Sequence, residues 1–300
     1  MKKITLLLTA LVISGVILTG TQKAHAWGSS SSSSIDLNYP VILAHGWAGT
    51  DEFIFGIDYF YGIKATLEDE GVDTYVADMG AFDTSMVRGE RLKSFILEVL
   101  AITGKRKVNI IAHSQGGITA RYVISNMGMS KKIASLVMIS TPNRGTALCD
   151  IATGKLPALA QYAIEVLADT FWGGIIAGDD DSNYKEATLE MTHSNMIDVF
   201  NPNTPDASGV SYFSYAGKLY GISPNILLTI PNLILQYYDG DNDGIVPVQS
   251  SKWGIWKGTK TGLFGVDHFM EINHLFGIAP GFDTKGFYID ICEMLEDYGF

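Results

Sequence analysis

Short apolar runs alternate with longer stretches in which apolar residues recur every three to four positions. Residues 40–44, 74–77, 107–112 and 133–139 form the short runs. They are mostly apolar, as strands buried on both faces tend to be. Between them, residues 62–70, 90–102 and 118–127 carry helical stripes, with apolar side chains at 92, 95, 96, 99 and 100 in the second. This strand–helix alternation predicts an α/β fold with a mostly parallel central sheet and helices on both faces. The second half is less regular. Residues 156–176 are strongly apolar with a helical period, and Asp179, Asp180 and Asp181 end them. Residues 211–216 read as a strand, 227–238 as strand or helix, 239–244 as an acidic turn, and 269–276 and 287–298 as helices.

Residues 1–26 do not fit that pattern. Lys2 and Lys3 precede an apolar run over residues 6–18, and Ala24-His25-Ala26 places small residues where a signal peptidase reads. The run is too short for a comfortable membrane span. A cleaved secretory signal over residues 1–26 is therefore expected, and the protein is expected outside the cell. The six serines from Ser29 to Ser34 make residues 27–38 a flexible leader, and residues 39–300 read as one domain. Removing Lys2, Lys3 and Lys23 takes the net charge from −11 to −14. So acidic a chain is unsuited to phosphate backbones, which argues against nucleic-acid partners. Cys149 and Cys292 could pair in an exported protein, or remain as two buried thiols.

Candidate chemistry begins where the third strand run meets the helix after it. Ala112-His113-Ser114-Gln115-Gly116 sits at that junction. A nucleophile elbow needs this setting, with a strained Ser at the turn and small residues two before and two after it. Ser114 is the candidate nucleophile, and His113, beside it on the turn, is read as packing. An oxyanion hole needs two backbone N–H donors. Gln115 N–H follows the nucleophile, and Trp47 N–H lies in the His45-Gly46-Trp47 loop after the first strand. His45 is read as a residue that shapes this loop. In a fold of this kind the base follows the nucleophile and the acid. His193 reads as a surface residue. His268, in a loop, is preferred to His274, inside the helix expected next. For the acid, Asp239, Asp241 and Asp243 all lie in one turn-rich loop. The same loop imitates the start of an EF-hand, but its twelfth position is Ser250 rather than Glu, so calcium binding by that motif is not expected.

In these motifs the chain resembles the secreted bacterial true lipases of the Pseudomonas/Burkholderia type. The likeness runs in order through residues 39–46 (YPVILAHG), 58–63 (DYFYGI), 88–90 (RGE), 107–117 (KVNIIAHSQGG), 121–123 (RYV), 141–145 (TPNRG), 242–247 (NDGIVP) and 268–273 (HFMEIN). The resemblance implies an α/β-hydrolase fold with a helical lid, here near residues 150–180. It implies a triad of Ser114, Asp243 and His268, with Trp47 and Gln115 as oxyanion donors, and so chooses Asp243 over its neighbours. It also implies lipid or ester substrates, a lipid–water interface and a dedicated foldase as partners to test for. Two departures bear on cofactors. The family holds a calcium ion between two Asp carboxylates, and the matching positions here are Ser223 and Met270, poor ligands for a hard cation. No cofactor is therefore expected, and Met270 should be buried. The family's cysteine after the acid motif is replaced by Gln249.

The expected activity is ester hydrolysis through an acyl-enzyme, with triacylglycerol as the substrate. A short-chain carboxylesterase or a polyester depolymerase is the nearest rival within enzymes. A non-catalytic lipid-binding protein on the same scaffold is the rival of another class, and it has no use for a full set of nucleophile, base, acid and donors.

Overall fold

A computed structural model describes residues 34–47, 52–53, 57–155, 183–274 and 277–300. The expected signal and the apolar stretch 156–176 lie outside the described residues. Residues 34–300 form one compact unit.

Six strands make the sheet: β1 (Val41–Ala44), β2 (Thr74–Ala77), β3 (Val108–His113), β4 (Ile133–Ile139), β5 (Ser211–Gly217) and β6 (Ile255–Lys260). Their order is β2-β1-β3-β4-β5-β6, and every pairing is parallel. Successive side chains point to opposite faces, and both faces are covered. Val41, Leu43, Ile111, Val137, Ile139 and Phe213 pack on one side against α1 (Ile63–Asp69) and α7 (Thr284–Asp297). Ile42, Ala44, Ile110, Ala112, Leu136 and Met138 pack on the other against α2 (Ser85–Thr103) and α3 (Gln115–Asn126). This double burial is why the central strands read as predominantly apolar runs.

Several boundaries differ from the sequence reading for identifiable reasons. The leader ends earlier than residue 38. Ile35 is buried in the core, Ile35 N–H donates to Glu70 O, and Asn38 N–H donates to Phe300 O. The ambiguous stretch 227–238 is α6 (Thr229–Tyr238), preceded by a 3-10 turn at Ile226–Leu228. Strand β6 has no apolar signature because it is a half-exposed edge strand carrying Lys257, Gly258 and Lys260. The helix expected from residue 269 is only the 3-10 turn Met270–Ile272, which Asn273 ends in a left-handed conformation at φ 59°. Among shorter elements, α4 (Ala147–Ala152) and α5 (Tyr184–Glu190) flank the undescribed stretch. Cys149 and Cys292 are free, and burial pushes both thiols up to about 12.

Candidate active site

The topology brings the first two parts of the site together without side-chain help. Strand β1 pairs with β3, and the register sets Ala44 opposite Ala112. Two residues beyond each lie Gly46 and Ser114. Both emerge at the carboxyl end of the sheet beside the point where strand order reverses, where open α/β sheets place their ligands.

Ser114 has φ 57° and ψ −132°, a conformation that L-residues avoid. It links β3 to α3 in a turn packed so closely that neither Gly116, within it, nor Gly46, on the facing loop, has room for a side chain. A Cβ on Gly116 would lie 2.4 Å from Ala44 O, and one on Gly46 would lie 2.6 Å from Ser114 Cβ and 3.1 Å from Ser114 Oγ. The Gly46 backbone therefore lies against the serine hydroxyl. Gln115 is the first residue of α3, where backbone N–H groups have no partner in the helix's own ladder.

The peptide joining Gly46 to Trp47 is held from its carbonyl side. Gly46 O accepts from Arg88 Nη2 at 3.1 Å and from His45 Nδ1 at 2.9 Å. Arg88 Nη2 also donates to His45 O at 2.6 Å, and Arg88 Nη1 to Gly80 O at 2.7 Å. Met79 N–H donates to His45 Nε2 at 3.0 Å, which fixes the His45 proton on Nδ1. In a trans peptide the C=O and N–H point opposite ways, so Trp47 N–H is turned away from Arg88. Burial lowers the Arg88 guanidinium to about 10 and keeps His45 neutral. Arg88 thus holds the candidate oxyanion loop, and the sequence offered it only as part of a motif. A buried arginine gives no sign in sequence that it will address backbone carbonyls.

The candidate acid and base come from loops later in the chain, after β5 and after β6. Asp243 Oδ2 bonds His268 Nδ1 at 2.7 Å. Asp243 Oδ1 accepts from the N–H groups of Ile245 (2.8 Å) and Val246 (2.7 Å). His268 N–H donates to Asp243 O at 3.0 Å. Asp239 and Asp241 are elsewhere: Asp241 pairs with Lys218, and Asp239 faces His193. The His268 ring lies 4.3 Å, centroid to centroid, from the ring of His113, the neighbour of Ser114. Its Nε2 is uncommitted among the described residues. His274 lies apart, in an edge-on contact with Tyr59, and burial lowers it to about 4.

His113 does more than pack. Its Nδ1 shares a hydrogen bond with Tyr59 Oη at 2.8 Å, and its Nε2 one with Glu271 Oε2 at 3.1 Å. Ser140 Oγ donates to Glu271 Oε1 at 2.7 Å. Glu271 Oε2 also lies 3.9 Å from His268 Nδ1. Burial, with Asp243 nearby, holds the Glu271 carboxyl well above the ordinary carboxylate range, and burial keeps His113 neutral. His113, His268 and Glu271 are close enough to hold a metal. But both His113 nitrogens are spent on protein partners and His268 Nδ1 on Asp243, so the cluster is a hydrogen-bond network. Glu271 was absent from the sequence-level site. Its only signal was a place three residues after His268.

The positions matching the family's calcium ligands do different work here. Ser223 Oγ donates to Asp267 Oδ2 at 2.9 Å. Asp267 Oδ1 accepts from the N–H groups of Phe269 (3.0 Å) and Met270 (2.9 Å). Met270 is buried, and its carbonyl accepts from Thr284 Oγ1 at 2.7 Å. Asp267, the carboxylate that Ser223 meets, already accepts three donors, and a hydroxyl and a thioether are poor ligands for a hard cation, so these residues do not fit a calcium ion.

A family profile described as alpha/beta hydrolase fold matches residues 39–180. A Vibrio cholerae triacylglycerol lipase is 33% identical over 95% of this chain and 94% of its own length. The chain belongs to the bacterial triacylglycerol lipases of the α/β-hydrolase fold. A Burkholderia plantarii triacylglycerol lipase is 36% identical over 56% of this chain and 49% of its own. Among solved structures, a mature Bacillus licheniformis lipase superposes with a TM-score of 0.62 at 19% identity, covering 85% of this chain and 91% of that one. That likeness speaks for the fold alone. The lipase hydrolyses carboxylic esters, and the resemblance read from its motifs stands.

Proposed function

We propose that the lipase cleaves triacylglycerol esters with Ser114 as nucleophile, His268 as base and Asp243 as orienting acid. The Asp243–His268 bond carries this reading. It holds the imidazole in the tautomer whose free Nε2 can take the Ser114 proton, and it stabilises the imidazolium that forms. Ser114 Oγ attacks the ester carbonyl, and the oxyanion sits against Trp47 N–H and Gln115 N–H. Each such donor contributes about 2.7–4 kcal/mol in comparable sites. His268 then protonates the leaving alcohol, and water releases the acid from the acyl-enzyme by the same route.

The other readings belong to the same proposal. Residues 1–26 direct export and are removed, so protein recovered from the medium begins at Trp27. No metal takes part in fixing the histidine loop, a task left to the Ser223–Asp267 hydrogen bond and buried Met270. The deciding experiment is labelling with an ester-like phosphonate. Its mass should appear on Ser114 in the wild type and vanish in Ser114→Ala, with hydrolysis lost in parallel. Labelling elsewhere would overturn the assignment.

A further inference from the structure

The chain from Leu219 to Tyr238 contains no charged residue, in a protein whose net charge is −11. It also exposes its apolar side chains. Ile226, Ile230, Leu233 and Tyr237 recur at helical spacing along the 3-10 turn and α6, and Ile226 is 67% exposed, Leu233 58% and Tyr237 82%. The opposite side of the same segment buries Leu228, Pro231 and Leu235. A second uncharged segment, residues 261–266, runs beside it. Tyr220 N–H donates to Phe264 O, and Val266 N–H to Lys218 O. That pairing sets Phe264, 50% exposed, beside Tyr220, 53% exposed, with Leu263, 76% exposed, next to it in the chain. Other exposed apolar side chains, such as Leu97 beside Glu98 and Val199 beside Asp198, stand next to charge.

We propose that this face, α6 with the 261–265 loop, is a preformed docking surface for an uncharged lipid–water interface. It rests on the triacylglycerol reading and goes beyond it by saying where the protein meets its substrate phase. Charge selects the occupant. An acidic protein is repelled by anionic membranes, and a surface without charge matches a phase of neutral ester. Apolar surface of this extent, bounded by charge only at its ends, is uncommon on a protein that meets only water.

The connections to the site make the location useful. Leu219 N–H donates to Asn242 O, next to Asp243. Asn242 Nδ2 donates to Asn232 O of α6, and Asn232 Nδ2 to Gly221 O. Ser223 Oγ donates to Asp267, next to His268. The loops that carry acid and base are thus the footing of the apolar face. A molecule seated by this face brings the mouth of its site to the ester phase with the triad unmoved.

The test uses the full mature chain in the silent Ser114→Ala background, so that binding is read without hydrolysis. Partition is measured onto triolein droplets and, separately, onto phosphatidylglycerol vesicles. The silent protein should bind droplets, hold them as salt is raised, and leave the anionic vesicles. The triple variant Ile226→Asp, Leu233→Asp, Leu263→Asp should bind droplets at least ~30-fold more weakly, and Tyr237→Phe should bind normally. With Ser114 restored, the triple variant should hydrolyse a soluble nitrophenyl ester at the wild-type rate. Undiminished droplet binding by the triple variant overturns the proposal, as does a preference for anionic vesicles. A wild-type dimer that the triple variant dissolves, with droplet binding intact, would assign the face to a second copy. A joint fall in melting temperature and soluble-ester rate would assign it to packing within the chain. Failure of Ser114→Ala to abolish hydrolysis would sink the nucleophile and leave the binding result standing.

Discussion

Two of the histidines that sit against carboxylates, His268 and His193, could hardly be used more differently. His268 gives Nδ1 to Asp243 and keeps Nε2 uncommitted among the described residues. His193 gives Nδ1 to Asp150 at 2.5 Å and Nε2 to Asp239 at 3.3 Å. With both ring nitrogens engaged, His193 has no lone pair for a substrate proton. Its carboxylates raise it to about 9, so it is a cation at neutral pH and cannot act as a base there. Asp243, by contrast, spends its second oxygen on two backbone N–H groups and faces the histidine with one oxygen only. The proposed catalytic pair is therefore distinguished by what it leaves unbonded. The expectation that His193 is a plain surface residue is corrected here. It joins α4 to the loop that leads into Asp243, and Ala147 N–H donates to Asp239 from the same side.

The comparison breaks most sharply on removal of each histidine. His268→Ala and Ser114→Ala should each cut kcat for a soluble ester by at least ~10⁴-fold with little change in melting temperature. His193→Ala should do the reverse, losing stability and keeping kcat within a few-fold. A His193→Ala enzyme as dead as His268→Ala would end the distinction.

Asp243→Asn comes next. The backbone N–H groups of Ile245 and Val246 still find an amide oxygen, so the loop should hold. The amide nitrogen then faces His268 Nδ1 and favours the wrong tautomer. A loss approaching ~10⁴-fold in kcat is expected. Asp239→Asn should leave kcat nearly intact, because that carboxylate serves His193 and Ala147. Equal losses in the two variants would mean that the acid had been misassigned within the loop.

Glu271 sharpens the comparison from a third side, as a carboxyl near His268 that burial pushes well above the ordinary carboxylate range. Glu271→Gln can still accept from Ser140 and meet His113, so kcat should change by no more than a few-fold. Glu271→Ala strips buried partners from His113 and Ser140 and should cost about 3 kcal/mol of stability, read as a drop in melting temperature. A large kcat loss in Glu271→Gln, with the melting temperature unchanged, would show that its ionised form takes part in the reaction.

How much of this could be read from the sequence follows from the range of the forces involved. Strands β1 to β5 and the elbow at Ser114 are local patterns, and each was legible because its residues are adjacent. Trp47, Gln115, Asp243 and His268 were placed by motif order, and the structure brings the acid and base of that set into contact. Arg88, Glu271, Asp267 and the two partners of His193 were not legible. Each acts across a sequence separation of tens to more than a hundred residues through side-chain hydrogen bonds, and no periodicity marks such bonds. The edge strand β6 was missed because an edge needs little apolar surface. Residues 269–276 look helical in composition, but among the described ones only Met270–Ile272 form a turn, held by Asp267 at its start and ended by Asn273.

The smallest expected effect concerns pH. His193 in the folded protein titrates near 9, against an ordinary value of 6.5. A group whose folded value is raised stabilises the fold fully below its unfolded value, and that contribution is lost as pH rises through the folded one. The window for His193 is therefore from 6.5 to about 9. The ring is about one-third exposed, so solvent screening limits the charged clasp to ~1 kcal/mol. His193→Gln can keep a hydrogen bond to one carboxylate but carries no charge. The melting-temperature gap between wild type and His193→Gln should be greatest just below pH 6.5 and should narrow steadily until about pH 9. The hydrogen-bonded remainder should then persist above it. The kcat of the two proteins should stay close across that range, because neither His193 nitrogen reaches the ester. A gap that widens with pH would mean that His193 is neutral in the folded protein. It would then be a second histidine with a lone pair to offer, and the contrast with His268 would have to rest on position alone.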